Sequence, residues 1–339
     1  MTIWQDFITQ QPGALEQPGT NDNALVNISE QQLVLVKGPD ATKFLQGQVT
    51  CDINSLITDN PIRPSVIGAH CTHKGRMLFS FRAAMLAPDT LILRVHKALR
   101  ETLLNYLGKY IVFSKAQLIE LHTHYQVIGV TGTTACRQLS NLLSATPGTE
   151  QAALINPDSD EPGLAIALSA DRFELWLPTA TAIDYWQQLN PHCQRLAEPY
   201  WDYLNIIAGL GEVRPETQSL FIPQMLNFQA IGGGVSFTKG CYTGQEVVAR
   251  MEYLGKLKRR MYHLALDDHS VVDAGMALYT TASSQSIGTV VYAAVAGDTT
   301  HLLAVATVAA VEQDAVYIDE ACQKKLHVLS LPYAITKEE

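Results

Sequence analysis

This sequence holds no C-x-x-C pair, and its six cysteines are scattered at Cys51, Cys71, Cys136, Cys193, Cys241 and Cys322. Such spacing makes neither a zinc motif nor a disulfide framework, so all but Cys241 read as small, half-buried residues. Positive charge is scarce too: Lys and Arg total 24 against 33 Asp and Glu, a formal net charge of -9. A surface that acidic does not bind nucleic acid as a whole, and any anion site must be a local patch. Long apolar runs are missing. The richest, Leu302 to Val311, is too short for a bilayer and is interrupted by Thr307. Met1 to Thr20 lack the basic and apolar regions of a signal peptide. The expectation is a cytoplasmic protein with no membrane segment.

Familiar site motifs are absent as well. There is no P-loop and no G-x-S-x-G, and Gly232-Gly233-Gly234 lacks the spacing of a dinucleotide loop. His70-Cys71-Thr72-His73 could suggest a metal. A strand, however, turns His70 and Thr72 to one face and Cys71 and His73 to the other, with no third ligand nearby. No metal is expected.

What is present is a globular balance, 47% hydrophobic and 17% charged over 339 residues, enough for two or three domains. Asn23 to Val36 reads as two strands around a turn at Ser29-Glu30-Gln31, and Asp40 as the cap of a helix carrying Ala41, Phe44 and Leu45. Strands follow over 65–86, broken at His73-Lys74-Gly75, and over 90–96. A helix with Leu99, Leu103 and Leu107 in line and a strand over 115–121 complete the first unit. The order strand, helix, strand, strand, helix, strand then recurs between Tyr125 and Leu189 without sequence identity. The class expected is α+β, a duplicated ferredoxin-like plan. From Arg259 onward, short strands separated by Asp and Gly turns predict a small antiparallel β-barrel. The predicted domains are 1–122 with 199–255, 123–198, and 256–339.

One octapeptide concentrates chemistry: Lys239-Gly240-Cys241-Tyr242-Thr243-Gly244-Gln245-Glu246. Thr243 and Glu246 make a T-x-x-E capping box, so a helix is predicted with Thr243 as N-cap, Val247, Val248, Met251 and Leu254 on its buried side and Gly255 as its stop. Cys241 would then lie near the positive end of the helix dipole and close to Lys239, both of which favour thiolate. Before it runs a long irregular stretch, Phe221 to Phe237, of the kind that is usually functional or disordered. After it come Arg250, Lys256, Lys258, Arg259 and Arg260, either a local anion site or a solvated linker.

The octapeptide resembles the signature of the YgfZ family of folate-binding proteins. Two further stretches carry the resemblance. Gly38-Pro39-Asp40-Ala41 with Phe44-Leu45-Gln46-Gly47-Gln48-Val49-Thr50-Cys51-Asp52 is similar to the family's N-terminal block. Phe221-Ile222-Pro223-Gln224 with Asn227 is similar to the segment before its signature. The match runs from about Leu25 to the end of the chain. The family is related to the glycine-cleavage T-protein, an aminomethyltransferase. The resemblance implies two ferredoxin-like parts and a C-terminal barrel around a folate channel. It implies Cys241 as the functional thiol, and folate, as tetrahydrofolate or a derivative, contacted by Trp201, Gln224, Asn227, Lys239 and Tyr242. It further implies support of iron-sulfur enzymes such as tRNA methylthiotransferases, and through them a role in tRNA modification.

Two departures stand out. Where T-proteins carry an aspartate pair, Gly75-Arg76-Met77-Leu78 is followed by Phe79 and Ser80, which leaves Asp52 as the candidate acid for a one-carbon transferase or demethylase. Gln31 stands where the family has a second folate-contacting tryptophan. An accessory protein is therefore expected ahead of an enzyme, and direct tRNA contact through Arg250 to Arg260 is the less favoured reading.

Overall fold

The computed structural model describes residues 2–17, 22–255 and 257–335. A capping-box helix, α1 (Ile3–Thr9), opens the chain and strand β1 (Ala24–Asn27) follows. The next segment runs β2 (Gln31–Lys37), α2 (Ala41–Gln46), β3 (Ile62–Cys71), β4 (Met77–Ala87), β5 (Thr90–His96), α3 (Arg100–Ile111) and β6 (Gln117–Glu120). A second segment repeats it: β7 (Tyr125–Thr131), α4 (Thr133–Leu142), β8 (Gln151–Ile155), β9 (Gly163–Ser169), β10 (Arg172–Pro178), α5 (Thr179–Leu189) and β11 (Gln194–Leu196).

All eleven strands lie in one sheet, in the order β11-β1-β7-β10-β9-β8-β3-β4-β5-β2-β6. Within each repeat the first strand pairs with the fourth, the fourth with the third and the third with the second. The fifth pairs with the first directly in one repeat, and through the inserted β1 in the other. The duplication expected from pattern is therefore visible in the pairing. Each repeat has five strands, three of them between its two helices; the sequence pattern shows all three in the first repeat, over 65–86 and 90–96, but only two in the second. The strand read least easily is β8, five residues without alternation. Pairing of Ile62 with Ala153 and Pro64 with Gln151 joins the two repeats edge to edge.

Every residue of β10 is buried, Arg172 and Glu174 included, so burial on both faces marks it as an inner strand although its sequence is not an apolar run. The helices that cover this part of the sheet each bury one stripe. Ala135, Cys136 and Leu139 of α4 and Ala182, Trp186 and Leu189 of α5 pack in one cluster with Trp4 and Ile8 of α1 and with Ile128 and Val130 of β7. Asp40 departs from expectation: its carboxylate accepts from the Lys115 amide, 2.8 Å, and so ties the loop before β6.

The chain divides into two compact units. The first comprises Met1–Gln46, Asp52–Val66 and Phe81–Trp201, and the second Gly47–Cys51, Ile67–Ser80 and Asp202–Glu339. The second unit holds the C-terminal strands β12 (Arg259–Leu266), β13 (Ala277–Thr280), β14 (Ser283–Ala296), β15 (Thr299–Thr307) and β16 (His327–Leu329). They form an antiparallel sheet in the order β13-β14-β15-β12-β16. Leu264, Leu278, Val290, Leu302 and Val316 fill its core. The strand expected over 315–318 is reduced to single bridges from Tyr317 to Tyr279 and to Lys325. No ladder joins β13 to β16 among the described residues, so what the structure shows is a five-stranded antiparallel sheet and not a closed barrel. Among the described residues, no helix is long and apolar enough to cross a membrane.

Candidate functional site: the signature segment

In the second unit the chain from Phe221 to Gly244 is irregular but ordered by burial. Phe221, Ile222, Leu226, Phe228, Ile231 and Val235 are all buried. Amides replace secondary structure in holding it. Gln224 donates through Nε2 to the Val248 carbonyl, 2.7 Å, and Asn227, left-handed at φ 58, donates through Nδ2 to the Met261 carbonyl, 3.0 Å. The Gln224 Oε1 and Asn227 Oδ1 atoms are buried and have no hydrogen-bond partner among the described residues.

The segment is also stitched to Gly47–Cys51. The Thr50 hydroxyl donates to the Gly234 carbonyl, 2.6 Å, and accepts from the Ala69 amide, 2.9 Å. Lys239 completes the seam: its buried ammonium donates to the carbonyls of Val49, 2.7 Å, and Cys51, 2.6 Å, and lies 5.1 Å from the centre of the Tyr242 ring. This corrects one expectation. The cation next to the thiol in sequence is committed to backbone carbonyls, which satisfy a buried charge that would otherwise be costly. Burial pushes the Tyr242 phenol up, with the Cys71 and Cys51 thiols adding to the effect.

A second correction concerns the helix start. Helix α6 (Glu198–Ile207) belongs to the chain before this segment, and α7 (Gln245–Leu254) follows it. The N-cap of α7 is Gly244, at φ 86, and no side chain caps it, so Thr243 and Glu246 form no capping box. The reason is steric. The chain passes so close to the β3–β4 turn that a Cβ at Gly244 would lie 2.5 Å from the Thr72 carbonyl oxygen. Only glycine meets both the left-handed backbone and the contact, and the helix begins after it. Val248 is fully buried, Val247 and Met251 half-buried, the Leu254 side chain lies outside the described residues, and Gly255 ends the helix as expected.

Within this frame Cys241 is exposed and free, while Cys51, Cys71 and Cys136 are buried and Cys193 and Cys322 lie between. Gly240 beside it is exposed, and a Cβ there would meet nothing within 4 Å. The thiol is thus presented to solvent on a loop whose two neighbours, Lys239 and Tyr242, are anchored inward. The basic residues beyond α7 do not share one surface. Arg250, Lys258 and Arg259 are exposed but Arg260 is buried, and Lys256 lies outside the described residues.

Trp201 belongs to the first unit. It is 2% exposed; a Cβ at Gly129 would lie 2.7 Å from its ring, and the Arg172 guanidinium is 5.0 Å from the ring centre. Its Nε1 has no hydrogen-bond partner among the described residues. The helix carrying it is fixed by Glu198, whose carboxylate accepts from the Ser29 amide, the Ser29 hydroxyl and the Glu30 amide at 2.7–2.9 Å. Sequence reading passed over Glu198. The only signal was its place three residues before the tryptophan. Gln31, at the start of β2, is buried and lines a pocket of about 180 Å³ with Gln32, Lys97 and His122. The positions of the missing aspartates are taken by packing: Phe79 stacks on His70, and the Ser80 hydroxyl accepts from the Val213 amide, 2.9 Å. The Asp52 carboxylate accepts from Gln46 Nε2, 2.8 Å, and from the Asn54 amide, 3.1 Å.

As to a folate, the lysine and the two amide nitrogens are already committed. What remains in the second unit are the buried acceptors of Gln224 and Asn227, which suit N–H donors of a reduced pteridine.

The chain is 36% identical over 251 residues, 74% of its length and 73% of the relative's, to the tRNA-modifying protein YgfZ of Photorhabdus laumondii. It is 37% identical over 251 residues, with the same coverage, to the tRNA-modifying protein YgfZ of Yersinia pseudotuberculosis. Among solved structures it superposes on the glycine cleavage system aminomethyltransferase T from Bartonella henselae with a TM-score of 0.67 at 18% identity, over 92% of this chain and 86% of that one, a likeness of fold. No family model matches.

Proposed function

The chain belongs to the family of the tRNA-modifying protein YgfZ, and from that premise we propose that it is a cytoplasmic folate-binding accessory protein. It supports iron-sulfur enzymes, among them tRNA methylthiotransferases, and so acts on tRNA modification indirectly. Cys241 is the functional thiol that meets sulfur or iron; Trp201, Gln224 and Asn227 offer contacts to a reduced folate, and Lys239 and Tyr242, expected as folate contacts, serve by holding the thiol's loop. The two repeats are read as ferredoxin-like units and the C-terminal sheet as the counterpart of a barrel, with domains 1–122 plus 199–255, 123–198 and 256–339.

The observation that carries this reading is the presentation of one exposed thiol by a segment otherwise held by buried contacts. A thiol so placed can act as nucleophile or ligand. Phe79 and Ser80 bear no carboxylate, which is why the thiol is preferred to proton transfer at a folate amine. In a strain lacking this protein, Cys241→Ser should fail to restore methylthiolated nucleosides in tRNA, while the purified variant binds tetrahydrofolate as the wild type does. Full restoration by the serine variant would sink the thiol reading.

A further inference from the structure

We propose that the second unit carries a separate pocket for a small phosphate monoester with an aromatic or apolar body, held by Arg76 and Arg259. The pocket has a volume of about 370 Å³, and neither guanidinium belongs to the signature segment. Arg76 comes from the turn between β3 and β4, Arg259 from the first position of β12, and Thr289 of β14 lies beside them. Three separate elements therefore converge on one concavity.

Charge points to the ligand class. The chain as a whole is acidic, at -9, yet no carboxylate lines this pocket among the described residues. Two guanidiniums match a phosphate dianion in charge and fork geometry, and the hydroxyls of Ser219 and Thr289 add donors. Leu220 and Phe221 supply an apolar wall for the rest of the molecule. Two cations are few for an RNA backbone, which is bound through many phosphates.

The pocket is preorganised. Arg76 Nη1 donates to the Leu220 carbonyl, and Arg259 Nη2 to the Ser286 carbonyl at 3.4 Å. The wall at Ser219–Phe221 is bonded to Met77 in both directions: the Ser219 amide donates to the Met77 carbonyl, 2.9 Å, and the Met77 amide donates to the Phe221 carbonyl, 2.9 Å. Ser219 sits at φ 63, a left-handed conformation unusual for a residue with a side chain and maintained only where surrounding contacts fix it. A site held in place before binding loses less freedom when it binds.

Isothermal titration of the full chain with AMP and, separately, with inorganic phosphate tests the assignment. Expected is saturable AMP binding, tighter than phosphate, and weaker by about tenfold or more in Arg259→Gln and in Arg76→Gln, as for loss of a charge-assisted hydrogen bond. Arg259 is exposed, so its variant keeps the test open even if Arg76→Gln, which also loses the Leu220 tether, fails to fold. Cys241→Ser should bind AMP as the wild type does, so this proposal and the thiol reading fail separately. Absence of saturable AMP binding overturns the proposal, as does unchanged affinity in Arg259→Gln or phosphate binding as tight as AMP. Displacement of AMP by tetrahydrofolate also overturns it. So does a single-stranded RNA that binds where AMP does not, with a steep salt dependence.

Discussion

Lys239 shows how a functional motif can be dominated by structural work. Its ammonium is buried and satisfied by two carbonyls of another segment, so the residue fastens the signature loop to Gly47–Cys51. Replacing it by methionine keeps the length and removes both charge-assisted bonds. Lys239→Met should cost about 2–3 kcal/mol of stability by the usual worth of such bonds, seen as a lower midpoint in urea unfolding at unchanged slope. A variant as stable as the wild type would show that the seam is held by something else. The octapeptide itself is legible in the sequence; the exposure that separates Cys241 from the other five cysteines is not, since it depends on how the loop packs. Nor is the inward direction of Lys239, because spacing along the chain does not reveal which segment a long side chain reaches. The cap at Thr243 was misread for a related reason. The contact with Thr72 that forces Gly244 into a left-handed conformation lies about 170 residues away in sequence, and no local rule contains it.

At the scale of elements, the repeat was legible and the strand count was not. Hydrophobic spacing located α3, α4 and α5 to within a few residues, since each buries a single stripe. β8 and β11 escaped because strands of five and three residues carry too little alternation to register. In the C-terminal sheet, one pair crossing between strands makes a testable claim. His263 of β12 and His301 of β15 are joined by a ring-to-ring hydrogen bond of 3.0 Å, with Tyr203 packed edge-on against His301. Burial and the facing His301 hold His263 down to about 4 from its ordinary 6.5, while its bond to Ser330 acts the other way. The folded state therefore prefers the neutral ring. Stability from this pair is complete above pH 6.5 and is lost as the pH falls toward 4. Thermal melts across that interval should show a shallower fall in Tm for His263→Phe than for the wild type, and equal slopes would refute the assignment.

At the scale of the whole molecule, an acidic chain with an unobstructed thiol is suited to act on a protein or small molecule, and poorly suited to wrap RNA. The chain belongs to the YgfZ family and shares the fold of a glycine cleavage aminomethyltransferase T, while Phe79 and Ser80 bear no carboxylate. The central claim is thus that the fold exposes Cys241, buries Cys51, Cys71 and Cys136, and leaves Cys193 and Cys322 between. Burial pushes the Cys71, Cys136 and Cys193 thiols up to about 12, which further lowers their reactivity near neutral pH. The most direct test is limited alkylation of the native protein with iodoacetamide at about pH 7.5, read by peptide mass spectrometry. The account predicts that Cys241 is modified first, with Cys51, Cys71 and Cys136 untouched until the protein unfolds. Protection of Cys241, or its labelling no faster than that of the buried cysteines, would contradict it.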